Sequence, residues 1–247
     1  RLDKIAEAQK LNDGLIKKTY ELFQSLLHKE LNPVSPADAS AFVKTSADKK
    51  AMAGEKDWEI KKLGEVCEKT DQGNPRNFFK KEFRYIDISS INADAKEIQN
   101  ANLVSVDSAP SRARKLVKTG DIVFATTRPY LENIAVVPNN FGDAIASTGF
   151  CIIRSNAKMV YPEFLYFTVV SKPFIKKVLS FQRGANYPAV SDKDIFGIRI
   201  LLPPLEIQKQ IVTKLSAVQD YKKQLLEQKA KLKELFDSTL HKSMIQR

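Results

Sequence analysis

The sequence predicts an α+β protein, in which a globular mixed α/β domain is flanked by two long helices that form an antiparallel coiled coil. Three observations lead there. First, residues 21–31 and 234–244 are copies: seven of eleven positions (Glu, Leu, Phe, Ser, Leu, His and Lys) are identical at an offset of 213 residues. Second, both copies lie in stretches whose apolar residues recur at spacings of three and four, the mark of a helix with one apolar face. Third, between them runs a stretch of short β-rich segments punctuated by Gly, Pro and Asn.

Leu2, Ile5, Leu11, Leu15, Leu22 and Leu26 make 1–31 a helix, with 12–14 (Asn-Asp-Gly) the expected kink or break. Residues 32–57, with Pro33, Pro36 and Gly54 and little apolar periodicity, read as a linker. At Trp58 the composition changes, and strands are expected over 83–88, 121–125, 134–137, 150–153 and 198–202. Pro162 and Pro173 each suit the first turn of a helix, so 162–179 reads as a helix pair. Pro203-Pro204 ends the last strand and opens a helix over 205–247, on the order of 60 Å long at ~1.5 Å per residue. Ile211, Leu215, Val218, Leu225, Leu232 and Phe236 form its stripe, which needs a partner. The 1–31 helix enters the middle domain and the 205–247 helix leaves it, so the two can run antiparallel. Phe23 and Phe236 are read as coil core, and His28 and His241 as packing or subunit-contact residues.

The chain has 247 residues and a net charge of +11, with 40 basic and 29 acidic residues. The excess is spread: +2 over 1–56, +5 over 57–204 and +4 over 205–247. A folded basic protein is a candidate for phosphate-rich partners. No apolar run approaches the roughly 20 residues that span a bilayer, and no signal segment is visible. Cys67 and Cys151 have no Cys or His at metal-ligand spacing, and a reducing, cytoplasmic setting is expected.

Several stretches, in order, resemble one family. Residues 58–65 (Trp-Glu-Ile-Lys-Lys-Leu-Gly-Glu) look like the opening of a target recognition domain. Residues 85–91, 109–114, 120–124 with 127–130, 147–150 and 184–191 continue the likeness, and 202–212, with its Leu-Pro-Pro-Leu-Glu-Ile-Gln, resembles a domain-to-helix junction. The family is the specificity (S) subunit of type I restriction-modification systems. The resemblance covers 58–247 and implies two recognition domains per subunit, each followed by a long helix. Residues 1–31 then correspond to most of the first conserved helix, 32–57 to a linker, 58–204 to the second recognition domain and 205–247 to the second conserved helix. The first domain is absent from this sequence, and a Leu-Pro-Pro-Leu-like junction is expected upstream of Arg1 in a longer chain. The implied partners are double-stranded DNA, methyltransferase (M) subunits docked on the helices and, through the complex, the restriction (R) subunit. Two copies of this chain could also pair through their helices.

Reading DNA needs side chains that reach base edges and cations that fix register on phosphates. Four clusters qualify. Asn74, Arg76, Lys80 and Lys81 lie in a loop with Phe78 and Phe79. Ser111, Arg112, Arg114 and Lys115 form the second; in a strand, the two arginines would share a face. Thr127, Arg128 and Tyr130 follow a strand end. Arg183, Asn186 and Tyr187 follow the predicted helix pair. Asn suits adenine and Arg suits guanine. Against each stands a plainer reading: a solvated loop with its Phe residues turned into the core, a charged edge, or a structural ion pair.

No catalytic residues, cofactor or metal ligands are expected. The Asn/Asp-Pro-Pro-Tyr/Phe string of amino-methyltransferases and a Gly-rich cofactor loop are both missing. Glu59-Ile60-Lys61 fits a nuclease string but also matches the domain-opening strand. A metal-dependent nuclease with a coiled-coil arm and a protein–protein adaptor remain the alternatives to a non-catalytic DNA-recognition subunit.

Overall fold

The computed structural model describes residues 2–31, 58–79, 81–141, 144–184 and 186–245, so the expected linker at 32–57 lies outside the described residues. The chain divides into two compact units, one of Arg1–Pro33 with Gln210–Arg247 and one of Val34–Lys209.

The first unit is a helix pair. Helix α1 spans Leu2–Leu31, and Leu205–Ile245 form the chain's last and longest helix. In α1 the withdrawn positions Leu2, Ile5, Gln9, Asn12, Ile16, Thr19, Phe23 and Leu26 alternate in spacing by three and four. That seven-residue repeat keeps one seam facing a partner. The last helix withdraws the repeat-related Leu215, Val218, Lys222, Leu225, Leu232, Phe236 and Thr239, so both copies bury the same face. The direction is antiparallel. Gln9 donates to the Leu232 carbonyl, Asn12 Nδ2 to the Leu225 carbonyl (3.0 Å), and Lys214 to Glu30 (3.1 Å), while Lys229 pairs with Asp13 at 2.8 Å. This register sets buried Leu27 level with Leu215 and buried Leu31 level with Ile211. His28 and His241 are both exposed.

The expected break at 12–14 does not occur, and α1 runs through it unbroken. Asn12 is buried in the seam with its amide held by the opposite helix, while Gly14 faces open space. Tertiary packing thus outweighs the roughly 1 kcal/mol that a mid-helix glycine costs. Asn12 Oδ1 is buried with no hydrogen-bond partner. A polar seam residue fixes register at a cost in stability, so Asn12→Leu should stabilise the helix pair by about 1 kcal/mol. A rise in the helical melting transition followed by circular dichroism is the expected result; a fall would mean that the Asn12–Leu225 bond outweighs the unpaired oxygen.

The second unit is built on two four-stranded sheets. Its strands are β1 (Glu59–Lys62), β2 (Cys67–Glu68), β3 (Glu82–Ile86), β4 (Ile91–Asn92), β5 (Glu97–Ile98), β6 (Asn102–Ser105), β7 (Ala113–Val117), β8 (Ile122–Ala125), β9 (Ile134–Val136), β10 (Ala144–Ser147), β11 (Phe150–Ser155) and β12 (Arg199–Leu202). One sheet has the order β6-β3-β10-β7, with β3 and β10 parallel; the other, β2-β11-β8-β9, is antiparallel. Strands β1 and β12 pair antiparallel, as do β4 and β5.

Alternation along the strands explains the layering. Ile86, Val117, Ala144 and Ala146 of the first sheet and Val123, Ala125, Ala135, Phe150 and Ile152 of the second share one core, where the alanines leave room for the larger side chains. The intervening Ile145 points the other way, into a smaller cluster with Phe83, Val106 and Ala113. On the far face of the second sheet, Phe124 meets Phe174 edge-on at 6.2 Å. Phe174 belongs to α3 (Lys172–Ser180), which follows α2 (Pro162–Val169); the two expected prolines do lie in the first turns of these helices. Helix α4 (Asp192–Phe196) opens on a capping box from Ser191 and Asp194. The last helix, α5 (Leu205–Ile245), begins against this unit: buried Gln208 accepts from the Tyr161 amide and donates to the Met159 and Pro203 carbonyls. A charged pair lies inside. Arg154 donates through Nε and Nη2 to both carboxylate oxygens of Asp121, at 2.7 and 2.6 Å, and this bond to Asp121 raises the guanidinium's affinity for its proton.

Candidate nucleic-acid interface

Backbone hydrogen bonds tie the four basic clusters to one another. The first loop hangs on β7: Gly73 N–H donates to the Arg114 carbonyl at 2.8 Å, and Gln72 bridges Lys115. At the start of β7, the Arg112 carbonyl accepts from Thr148 N–H at 2.8 Å. One residue on, the Gly149 carbonyl accepts from both the N–H and the hydroxyl of Thr126. Thr127 bridges Ala189, and Arg128 N–H donates to the Pro188 carbonyl at 2.7 Å. The run of backbone bonds is therefore continuous from 73 to 189, although the residues come from separate loops.

Within this strip the side chains divide by what they touch. Asn74 caps a 3-10 turn at Pro75–Asn77 by accepting from Arg76 N–H, while Phe79 packs on Phe83 at 5.6 Å and Phe78 stays exposed. Arg76 holds Asp107 at 3.1 Å in an exposed pair, worth little in water. Lys81 is exposed, and Lys80 lies outside the described residues. Ser111 and Arg112 are exposed in the turn before β7, so only Arg114 lies in the strand, half-buried, and the two arginines do not share a strand face. Lys115 is half-buried and bound to Asp192 at 2.5 Å, so its charge is engaged inside the protein. Arg183 and Ala189 exchange both backbone bonds, closing a short loop that carries exposed Asn186 and Tyr187. Gly184, at φ +94, supplies the left-handed turn this loop needs. Arg183 also approaches Asp194 at 3.5 Å, whose carboxyl is held below its usual range by hydrogen bonds from Ser191.

The segment at 127–132 is the most constrained. Arg128 and Glu132 flank a 3-10 turn at Pro129–Leu131, both with left-handed backbones, φ 49 and φ 50. Such conformations cost on the order of 1–3 kcal/mol each for residues other than glycine. The Arg128 guanidinium lies over the Tyr187 ring, 5.5 Å from its centroid, and Tyr130 is half exposed.

No group of three or more His, Cys, Asp or Glu side chains that could hold a metal occurs among the described residues. Glu59 and Lys61 pair with each other at 2.8 Å on β1. Burial pushes the Cys67 thiol up to about 12 and also raises Cys151, which lies beside Asp192, so both stay protonated at neutral pH. No helix among the described residues is long and apolar enough to cross a membrane.

The family profile described as the type I restriction modification DNA specificity domain matches residues 55–235. This chain belongs to that family. The matched range contains all four basic clusters. The specificity subunit of the type I restriction enzyme MjaVIII of Methanocaldococcus jannaschii is 26% identical over 208 residues, covering 79% of this chain and 47% of its own length. The HsdS subunit from Thermoanaerobacter tengcongensis is 40% identical, with a TM-score of 0.63, over 74% of this chain and 46% of its own. A chain from a structure concerned with complex assembly and conformational transition of the type I R-M system is 38% identical, with a TM-score of 0.64, over 76% and 48%. The chain thus spans about half the length of each of these relatives.

Lys96 is absent from the four sequence-derived clusters of this specificity domain, yet it braces the Arg128 turn. Its ammonium donates to the Glu132 carbonyl at 2.7 Å and to the Glu132 carboxylate at 3.1 Å. The sequence offers no signal for it, because a lysine near a short hairpin is ordinary and its partner lies 36 residues away.

Proposed function

We propose that residues 58–204 form one target recognition domain that reads one half of a two-part DNA site, and that the helix pair serves as spacer and as dock for methyltransferase subunits. The observation that carries this is the backbone-bonded strip joining the basic clusters, with exposed Lys81, Arg112, Arg128, Arg183, Asn186 and Tyr187 along it. Cations and an amide on rigidly connected loops are what base reading combined with phosphate positioning needs. Family membership supports the DNA target, and a relative concerned with assembly of the type I system supports the methyltransferase and, through the complex, restriction partners. The chain contributes recognition, and the partner subunits contribute the reaction.

The test is selection from a random duplex library by this chain together with the M subunits of its system, followed by sequencing. Enrichment of one short motif is expected. Two inverted copies of the motif would mean that a second copy of the chain supplies the other half. Retention without enrichment, or no retention at low salt, would overturn the reading.

A further inference from the structure

We propose that Arg128 reads the edge of a guanine, and that Lys96 and Glu132 are positioning residues that fix its direction without touching DNA. The inference rests on the DNA-recognition reading above.

Among the described residues, Lys96, Arg128 and Glu132 are the three non-glycine residues with positive φ, and they meet at one place. Lys96 ends the turn between β4 and β5 and reaches across to Glu132, binding both its carbonyl and its carboxylate. Its side chain is only 21% exposed, so its charge is committed there and not to a phosphate. Glu132 N–H donates to the Pro129 carbonyl and Leu131 N–H to the Arg128 carbonyl, which closes the turn. Arg128 is then held at three points: its carbonyl by Leu131, its N–H by Pro188 and its guanidinium by the Tyr187 ring. Among the described residues it meets no carboxylate.

A phosphate contact needs only a nearby cation and tolerates a mobile one. Bidentate recognition of guanine O6 and N7 needs a planar fork with a fixed direction. The Tyr187 ring takes the guanidinium as a cation–π partner at 5.5 Å, and among the described residues no carboxylate engages its N–H groups. A strained backbone that adds no charge but fixes direction belongs with the second role. Lys96 and Glu132 then act on selectivity through the turn.

The test compares wild type with Arg128→Lys, Lys96→Met and Lys96→Arg in the same library selection, with salt titration and melting measured beside it. Arg128→Lys keeps the charge and should lose guanine preference at one position by roughly 10-fold. Lys96→Met should weaken preference at that same position several-fold, with salt dependence and melting temperature unchanged, and Lys96→Arg should restore it. Full retention of the preference by Arg128→Lys would make Arg128 a phosphate contact and overturn the proposal. So would a uniform loss of binding with a shallower salt slope in Lys96→Met, or a lowered melting temperature with preference intact. If wild type enriches nothing, the recognition reading itself fails; if wild type enriches and the variants match it, this inference alone fails.

Discussion

Replacing Arg154 by Met should destabilise the sheet unit by about 3–5 kcal/mol, the cost of leaving a buried charge without its partner. The Asp121 side chain is 2% exposed, and both its oxygens accept from Arg154; its Oδ2 also accepts from Lys118 N–H. Once the guanidinium is gone, one backbone N–H remains to stabilise the carboxylate, and water cannot replace what the arginine supplied. Asp121 immediately precedes β8, and its carbonyl accepts from the Val137 N–H just after β9, so disturbance at this carboxylate reaches the core strand directly. The double variant Arg154→Met with Asp121→Asn should recover most of the loss, since removing both charges also removes the desolvation cost. Urea unfolding followed through the sheet's circular dichroism checks both. A single variant within about 1 kcal/mol of wild type would mean that the pair is solvated in solution.

How much of this is legible in the sequence depends on whether a signal is local. The helix pair is visible because a seven-residue apolar repeat writes itself along the chain, and the copied Glu-Leu-Phe segment marks its symmetry. Strands β3, β8, β9, β11 and β12 lie near their expected bounds, since β-branched runs ended by Gly120, Pro138 or Pro203 are local too. Strand β10 (Ala-Ile-Ala-Ser) escapes sequence reading because alanine carries no strand signal; it is a central strand because its neighbours need small residues there. The short β2, β4 and β5 are held by pairing partners and not by composition. The break expected at 12–14 fails for a similar reason, because the opposite helix holds the Asn12 amide within a continuous α1. At the candidate site, residue types locate the four loops, but only the fold shows that backbone bonds join them. Sequence cannot show that Lys115 is committed to Asp192, nor that Arg112 lies in a turn where its alternation with Arg114 is broken. Nor can it find Lys96, whose role depends on two left-handed backbones far from it in the chain.

Neutralising Lys81, Arg112 and Arg183 together, each to Gln, should lower DNA affinity on the order of 100-fold at moderate salt and do so for every sequence alike. All three are exposed and come from three different loops of the strip. Arg183 approaches Asp194 only at a long 3.5 Å and is 77% exposed, so little stability depends on it. Each phosphate left without its cation should flatten the plot of log affinity against log salt by about 0.9, so the slope of the triple variant should be shallower by about 2.7. Stability should change by no more than about 0.5 kcal/mol, because surface changes away from packed features seldom do more. The contrast with Arg128→Lys separates the two kinds of side chain. That variant keeps every charge and should change which sequence is chosen, while the triple variant keeps the base-reading group and should change only how tightly any sequence is held. If the triple variant instead altered the enriched motif with its slope intact, the division of the strip into phosphate-holding and base-reading side chains would be the wrong way round.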